Sequence, residues 1–188
     1  MGSSDEIRLL LCGDVMLGRG IDQVLPCPGD PLLPASLRKG RDARIFVALA
    51  ELMHGALPPA RGPDYVWGEA LEIFESCRAD VRIVNLETAV TARGRPWPDK
   101  PVHYRMHPAN VDVLLCGGID LCALANNHTL DFGAEGLLDT LETLRRAGIG
   151  AAGAGRDRPS AAAPAVLDLP GRGRVVMVSL ATPSSGVP

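Results

Sequence analysis

Aromatic residues are scarce in this chain: Phe, Trp and Tyr make up 4% of its 188 residues. An interior of stacked rings is excluded, so the core has to be aliphatic. No apolar run is long enough to span a bilayer. The opening stretch Met1-Gly-Ser-Ser-Asp-Glu6 is polar and acidic rather than basic and apolar, unlike a secretory leader. A cytoplasmic location is expected from that absence. Charge of one sign is also missing. Lys and Arg number 19 against 22 Asp and Glu, a formal net charge of −3 with both signs mixed along the chain. That argues against a nucleic-acid partner and against attraction to anionic membranes. No internal repeat or low-complexity block is present. The five cysteines (Cys12, Cys27, Cys77, Cys116 and Cys122) contain no C-x-x-C pair, which excludes a zinc finger or a dithiol redox motif. Cys12, Cys116 and Cys122 lie in apolar runs and read as small buried hydrophobes of a reducing compartment.

What the chain does have is 46% apolar residues, 21 Gly and 16 Pro. This composition fits a globular protein with many tight turns around an aliphatic core, and it disfavours an all-helical bundle. Short apolar runs alternate with amphipathic stretches. Strands are expected at Ile7 to Cys12, Val81 to Leu86 and Ile119 to Ala125, with later ones at Pro164 to Leu169 and Arg174 to Leu180 joined through Gly171 and Gly173. Helices are expected at Arg41 to Ala56, stopped by Pro58 and Pro59, and at Val66 to Cys77 with Asp64 as a cap. A short helix should start at Pro108 and run to Cys116. Ala134 to Ala147 is the clearest helix, with a stripe of Leu137, Leu138, Leu141 and Leu144 and with Gly148 as its stop. Segments 20–40 and 92–107 read as loops. Strands alternating with helices predict an α/β fold with a largely buried sheet.

Three predicted strands end in polar clusters: Gly13-Asp14-Val-Met-Leu-Gly-Arg19, Asn85-Leu-Glu87-Thr88, and Ala125-Asn126-Asn127-His128-Thr-Leu-Asp131. Right-handed crossovers put equivalent strand ends on one rim, where sheets of this kind bind ligands. Carboxylate, amide oxygen and imidazole suit Mg, Mn, Fe or Zn. Two such ions hold both oxygens of a displacement at phosphorus, and a free His beside them protonates a leaving oxygen. Arg19 matches an anionic group. Each cluster alone has a plainer reading. Gly-Asp is a common turn, Asn126-Asn127 suits left-handed turn geometry, and Asp131 reads better as the N-cap of the next helix than as a catalytic acid. His103, Tyr104, Arg105 and His107 form a loop stretch that either touches substrate or is solvated. Thr182, Ser184 and Ser185 are placed to line the same rim. No G-x-S-x-G elbow or complete G-x-G-x-x-G is present.

Gly13 to Arg19, Val84 to Thr88, and Ala125 to His128 with Asp131 and Gly133 resemble the CapA family in order and spacing. So does the later Ala152-Gly153-Ala154-Gly155. The likeness runs from about Ile7 to Pro188 and is taken as one domain over residues 5–188. The resemblance implies a role in poly-γ-glutamate capsule synthesis and a layered α/β sandwich like that of calcineurin-type metallophosphoesterases. It implies one or two divalent ions held by Asp14, Glu87, Asn127 and Asn85, with His128 as the catalytic acid. Arg19 and Asn126 would face an anionic small molecule or polymer. Many metallophosphoesterases carry His where this chain has Met16, a poor ligand for hard ions. The family also continues with His-containing motifs, whereas His128 is the last histidine here. The chain is therefore expected to be the first part of a longer fold with an unpaired sheet edge. A non-catalytic accessory role in polymer synthesis or export, or an inactive truncated product, is the alternative.

Overall fold

A computed structural model describes residues 6–33, 42–58 and 61–186. Arg41 and Pro59, like the outermost residues of the 5–188 span, lie outside the described residues. Among the described residues there are eight strands: β1 (Leu9–Val15), β2 (Val81–Leu86), β3 (Ala89–Val90), β4 (Arg105–Met106), β5 (Leu121–Ala123), β6 (Gly150–Ala152), β7 (Ala165–Leu169) and β8 (Gly173–Met177). Five α-helices accompany them: α1 (Arg44–His54), α2 (Ala70–Ser76), α3 (Asp112–Cys116), α4 (Gly133–Arg146) and α5 (Arg158–Ala162). The expected mixed α/β architecture is present. Its centre is a four-stranded parallel sheet in the order β1-β2-β5-β6.

The two faces of this sheet follow from the two-residue period of a strand. Val84 and Leu86 of β2 join Cys122 and Leu124 in one cluster, with Met106, Val113, Leu114, Leu144 and Ile149. Val81 and Leu121 point the other way, to Ala152, Ala165 and Met177. The first face is covered by α3 and α4, the second by the antiparallel β7–β8 hairpin.

Several expectations shift by a few residues, and the shifts have causes. β1 does not stop at Cys12 but runs through Gly13-Asp14 to Val15. Its pairing slips between Leu11, opposite Ile83, and Asp14, opposite Asn85. The extra residue is a bulge, a device that re-aims a side chain, and here it sets Asp14 beside Asn85. Asp64 makes no side-chain cap. Turns occupy 63–69, and α2 starts only at Ala70. In α4 the inward stripe is Leu137, Thr140, Leu141 and Leu144, while Leu138 is 43% exposed. Thr140 faces inward because its hydroxyl accepts from the Val90 N–H at 3.0 Å and donates to the Gly136 carbonyl at 2.9 Å. Cys122 is buried, but Cys12 and Cys116 are only half-buried. Burial pushes the Cys122 thiol up to about 12, so it is an inert filler.

α1 forms where its periodicity predicts, yet none of its residues is buried: Leu52 is 81% exposed. It is seated through Phe46, whose Cβ would lie 2.6 Å from any Cβ at position 20, so Gly20 lets the helix approach. In the β7–β8 turn, Arg172 clamps Asp80, which precedes β2, with bonds of 2.5 and 2.8 Å. The guanidinium holds the Asp80 carboxyl down at about 2, against an ordinary 3.8. A depressed carboxyl stabilises the fold fully above its unfolded value and loses that contribution as pH falls from 3.8 towards 2. Arg172→Ala should move the Asp80 titration, read by NMR, towards 3.8 and flatten this acid-side slope, with the Arg8 N–H still bonded to the carboxylate.

Candidate functional site

The carboxyl ends of β1, β2 and β5 meet, and their polar side chains are wired together. Asn85 donates its amide to Asp14 Oδ1 at 2.7 Å. Asn126 donates to Asn85 Oδ1 and to the Leu86 carbonyl, both at 3.0 Å. The Asn126 oxygen accepts from the His128 backbone N–H at 3.0 Å. The turn after β5 is thus braced against the end of β2 by one buried amide. Asp14 is exposed, Asn85 and Glu87 are half-buried, and His128 is buried. His128 Nε2 faces Glu87 Oε1 at 3.8 Å, beyond direct hydrogen-bond range.

Asp131 is where structure and expectation part most clearly. It does not cap α4. The N-cap is Phe132, with no side-chain cap bond, and the Asp131 carboxylate is completely buried. One oxygen accepts from the Tyr104 N–H at 2.6 Å and from His128 Nδ1 at 2.7 Å. The other takes the ammonium of Lys100, which also bonds the Asn127 carbonyl. A carboxylate can only accept, so His128 carries its proton on Nδ1 and leaves Nε2 open towards Glu87. The reason for the inward turn is electrostatic. Three donors converge there, whereas an N-cap site would supply one or two.

The 97–104 loop supplies the roof. Trp97 N–H donates to the Asp131 carbonyl at 2.8 Å, and Tyr104 stacks on the His128 imidazole with centroids 4.0 Å apart. The stretch His103 to His107 is not a solvated loop. His103 is buried, Tyr104 covers His128, Arg105 lies over the Phe132 ring, and the His107 side chain caps the turn after it. Asn127 and His128 open into a cleft of about 550 Å³ walled by Trp97, Lys100, Tyr104 and Gly186. Thr182 lines a neighbouring depression with Ala125 and Asn126.

The structure therefore gathers Asp14, Asn85, Asn126 and His128 in one hydrogen-bonded chain, with Glu87 across from His128 and Asn127 in the cleft. Arg19 stands apart from that chain, beside Phe46. Lys100 and the inward Asp131 were not foreseen. A single Lys in a Pro-Asp-Lys-Pro loop carries no local signal of the residue it will meet 31 positions later.

A divalent cation is what the resemblance implies. The donors suit one in kind: two carboxylates and amide oxygens, with the His128 imidazole beside them. They are short in number, since among the described residues no three His, Cys, Asp or Glu side chains form a metal-holding group. Amide oxygens or water would have to complete a shell here.

No helix among the described residues is long and apolar enough to cross a membrane. The family model described as bacterial capsule synthesis protein PGA_cap matches residues 8–187. A probable polyglutamine synthesis accessory protein of Mycobacterium tuberculosis is 48% identical over 187 residues, covering 100% of this chain and 49% of the relative. An uncharacterized protein of Sinorhizobium fredii is 36% identical over 117 residues, 59% of this chain and 25% of that one. The PGA biosynthesis protein CapA of Bacillus subtilis is 27% identical over 154 residues, 81% of this chain and 31% of that one. The chain spans about half the length of the first of these relatives. With nearly its whole length matched by the family model, and with the rim motifs folded into one cluster, this chain belongs to the PGA_cap family of bacterial capsule synthesis proteins.

Proposed function

We propose that the rim is a metal-dependent, phosphoesterase-like hydrolytic site for an anionic substrate, set in a layered fold of the metallophosphoesterase kind. The observation that carries this reading is the His128 side chain. Its Nδ1 is bonded to Asp131, Asp131 is neutralised by Lys100, and its Nε2 is left free towards Glu87. With a second proton taken up on Nε2, the imidazolium, held by Asp131, delivers that proton to a leaving oxygen and regains one from water. Asp131 holds the ring's orientation, Tyr104 shields one face, and Lys100 limits the negative charge behind it. Asp14, Glu87, Asn85 and Asn127 offer oxygens to one or two divalent ions (Mn, Zn, Fe or Mg), with Asn126 behind them and Arg19 drawing in the anion. A bound ion would polarise the scissile bond and supply an activated water. A γ-glutamyl polymer or its precursor is a second anionic substrate class, the one that the family resemblance implies.

His128→Asn tests the reading. The asparagine keeps a polar side chain but cannot shuttle a proton. Hydrolysis of bis(p-nitrophenyl) phosphate in the presence of Mn²⁺ should fall by roughly 10²–10⁴-fold, with bound metal unchanged. Equal turnover in parent and variant would remove His128 from the chemistry.

A non-catalytic role in polymer synthesis or export is favoured by one observation. Asp14, Asn85 and Asn126 satisfy one another, and no three-ligand cluster is present among the described residues. On that reading poly-γ-glutamate binds to parent and His128→Ala alike, without turnover.

A further inference from the structure

A second cavity, of about 610 Å³, lies between α1 and the segment that follows β1. That volume falls within the roughly 300–1,000 Å³ of small-molecule sites. Its walls are mainly apolar, with Met16, Phe46, Val47, Ala50 and Val66 prominent, and its charged member is Arg19.

Arg19 is built in at a cost. Its φ is +53°, in the left-handed region that a side chain of this size seldom adopts. The glycines on either side have no room for a Cβ. One at position 18 would lie 2.8 Å from the Arg105 backbone nitrogen, and one at position 20 would lie 2.6 Å from Phe46 Cβ. The guanidinium rests 4.9 Å from the Phe46 ring centroid, and its Nε is enclosed with no hydrogen-bond partner among the described residues. An enclosed, charged donor without an acceptor is costly, and a ligand oxygen would relieve it.

We propose that this cavity binds an amphiphilic anion, with a phosphate or carboxylate head at Arg19 and an aliphatic chain along Phe46, Val47 and Ala50. Tyr104 lines this cavity while its ring stacks on His128, so it forms the partition between the two sites. The site shares Arg19 and the Tyr104 partition with the hydrolytic reading and requires no turnover. The head group fixes one end of the ligand through a charge-assisted bond. The chain displaces water from apolar walls, which is what makes binding depend on its length.

Calorimetric titration of the full chain with octyl phosphate, below its micellar concentration, tests this. The expected result is saturable binding of one molecule per chain that inorganic phosphate at equal concentration does not displace. Ala50→Trp, which fills the cavity from the α1 side, should weaken binding about tenfold or more with an unchanged circular dichroism spectrum. Arg19→Gln should weaken octyl phosphate by roughly tenfold and leave the neutral octyl glucoside unaffected. Leu52→Ser, on the exposed side of α1, and His128→Asn should bind as the parent does. Absence of binding by the folded parent overturns the proposal. So does unaltered binding in Ala50→Trp, or loss in Leu52→Ser, which would mean adhesion to the helix surface. Loss in His128→Asn would move the ligand to the other cleft and also overturn it. Because no outcome depends on catalysis, failure of the hydrolytic reading leaves the test intact.

Discussion

Asp131→Ala is expected to destabilise the fold by about 3–5 kcal/mol, the usual cost of removing one partner of a buried ion pair. The carboxylate is fully buried, and the Lys100 side chain beside it is only 14% exposed. Truncation strands that ammonium among the walls of the cleft and also orphans the Tyr104 N–H, which Asp131 accepts at 2.6 Å. The 97–104 loop has few other anchors to the turn after β5, so its order should suffer with the global stability. Asp131→Asn keeps the size and one acceptor, and its loss should be smaller. Urea unfolding followed by circular dichroism measures both. A loss below about 1 kcal/mol for the alanine variant would mean that Lys100 and Asp131 are not paired in solution. The functional consequence is separable. If His128 works as proposed, Asp131→Asn should slow turnover even under conditions where the protein remains fully folded.

Leu86→Ala should cost about 2–5 kcal/mol, because the side chain is completely buried and its removal leaves a cavity that the strand cannot fill. Leu86 packs with Val84, Leu124 and Met106 on the helix-covered face of β2. Its carbonyl accepts from Asn126, and it stands between Asn85 and Glu87. A cavity here loosens the strand end that carries two rim residues, so ligand affinity at the rim should fall with stability. Leu86→Met, close in volume, should stay within about 1.5 kcal/mol. Leu138→Ala is the contrast. Its periodicity puts it in the core stripe of α4, but it is 43% exposed, and the expected change is within about 0.5 kcal/mol. Comparable losses at Leu86 and Leu138 in urea unfolding would contradict the packing described.

The central strands and the helix over residues 133–146 were legible because their signals are local and long enough to average out noise: a buried aliphatic run in one case and a 3.6-residue stripe in the other. The bulge in β1 was not legible, since Gly-Asp after an apolar run is usually a turn. Only the pairing of Asp14 with Asn85 carries the strand on to Val15. Thr140 replaced Leu138 on the inner face of α4 because a neighbouring strand offered a backbone N–H that a hydroxyl could satisfy. The periodicity of α1 made the helix legible, yet none of its residues is buried. Periodicity reports which residues share a face and says nothing about what lies against it.

The sequence by itself determined the α/β class, the order of the main elements and the rim motifs by which the PGA_cap family is recognised. Each of these is written in residues adjacent along the chain or spaced by a fixed period. Tertiary structure alone decided that Asp131 turns inward to His128, that Lys100 neutralises it, that Asn126 braces β2, and that Arg19 stands at a separate cavity. Those pairings join groups up to 41 positions apart, and the bond from the His107 N–H to Asp22 spans 85. Such contacts follow from how the crossovers bring strand ends together, and burial makes each partner obligatory once it is there.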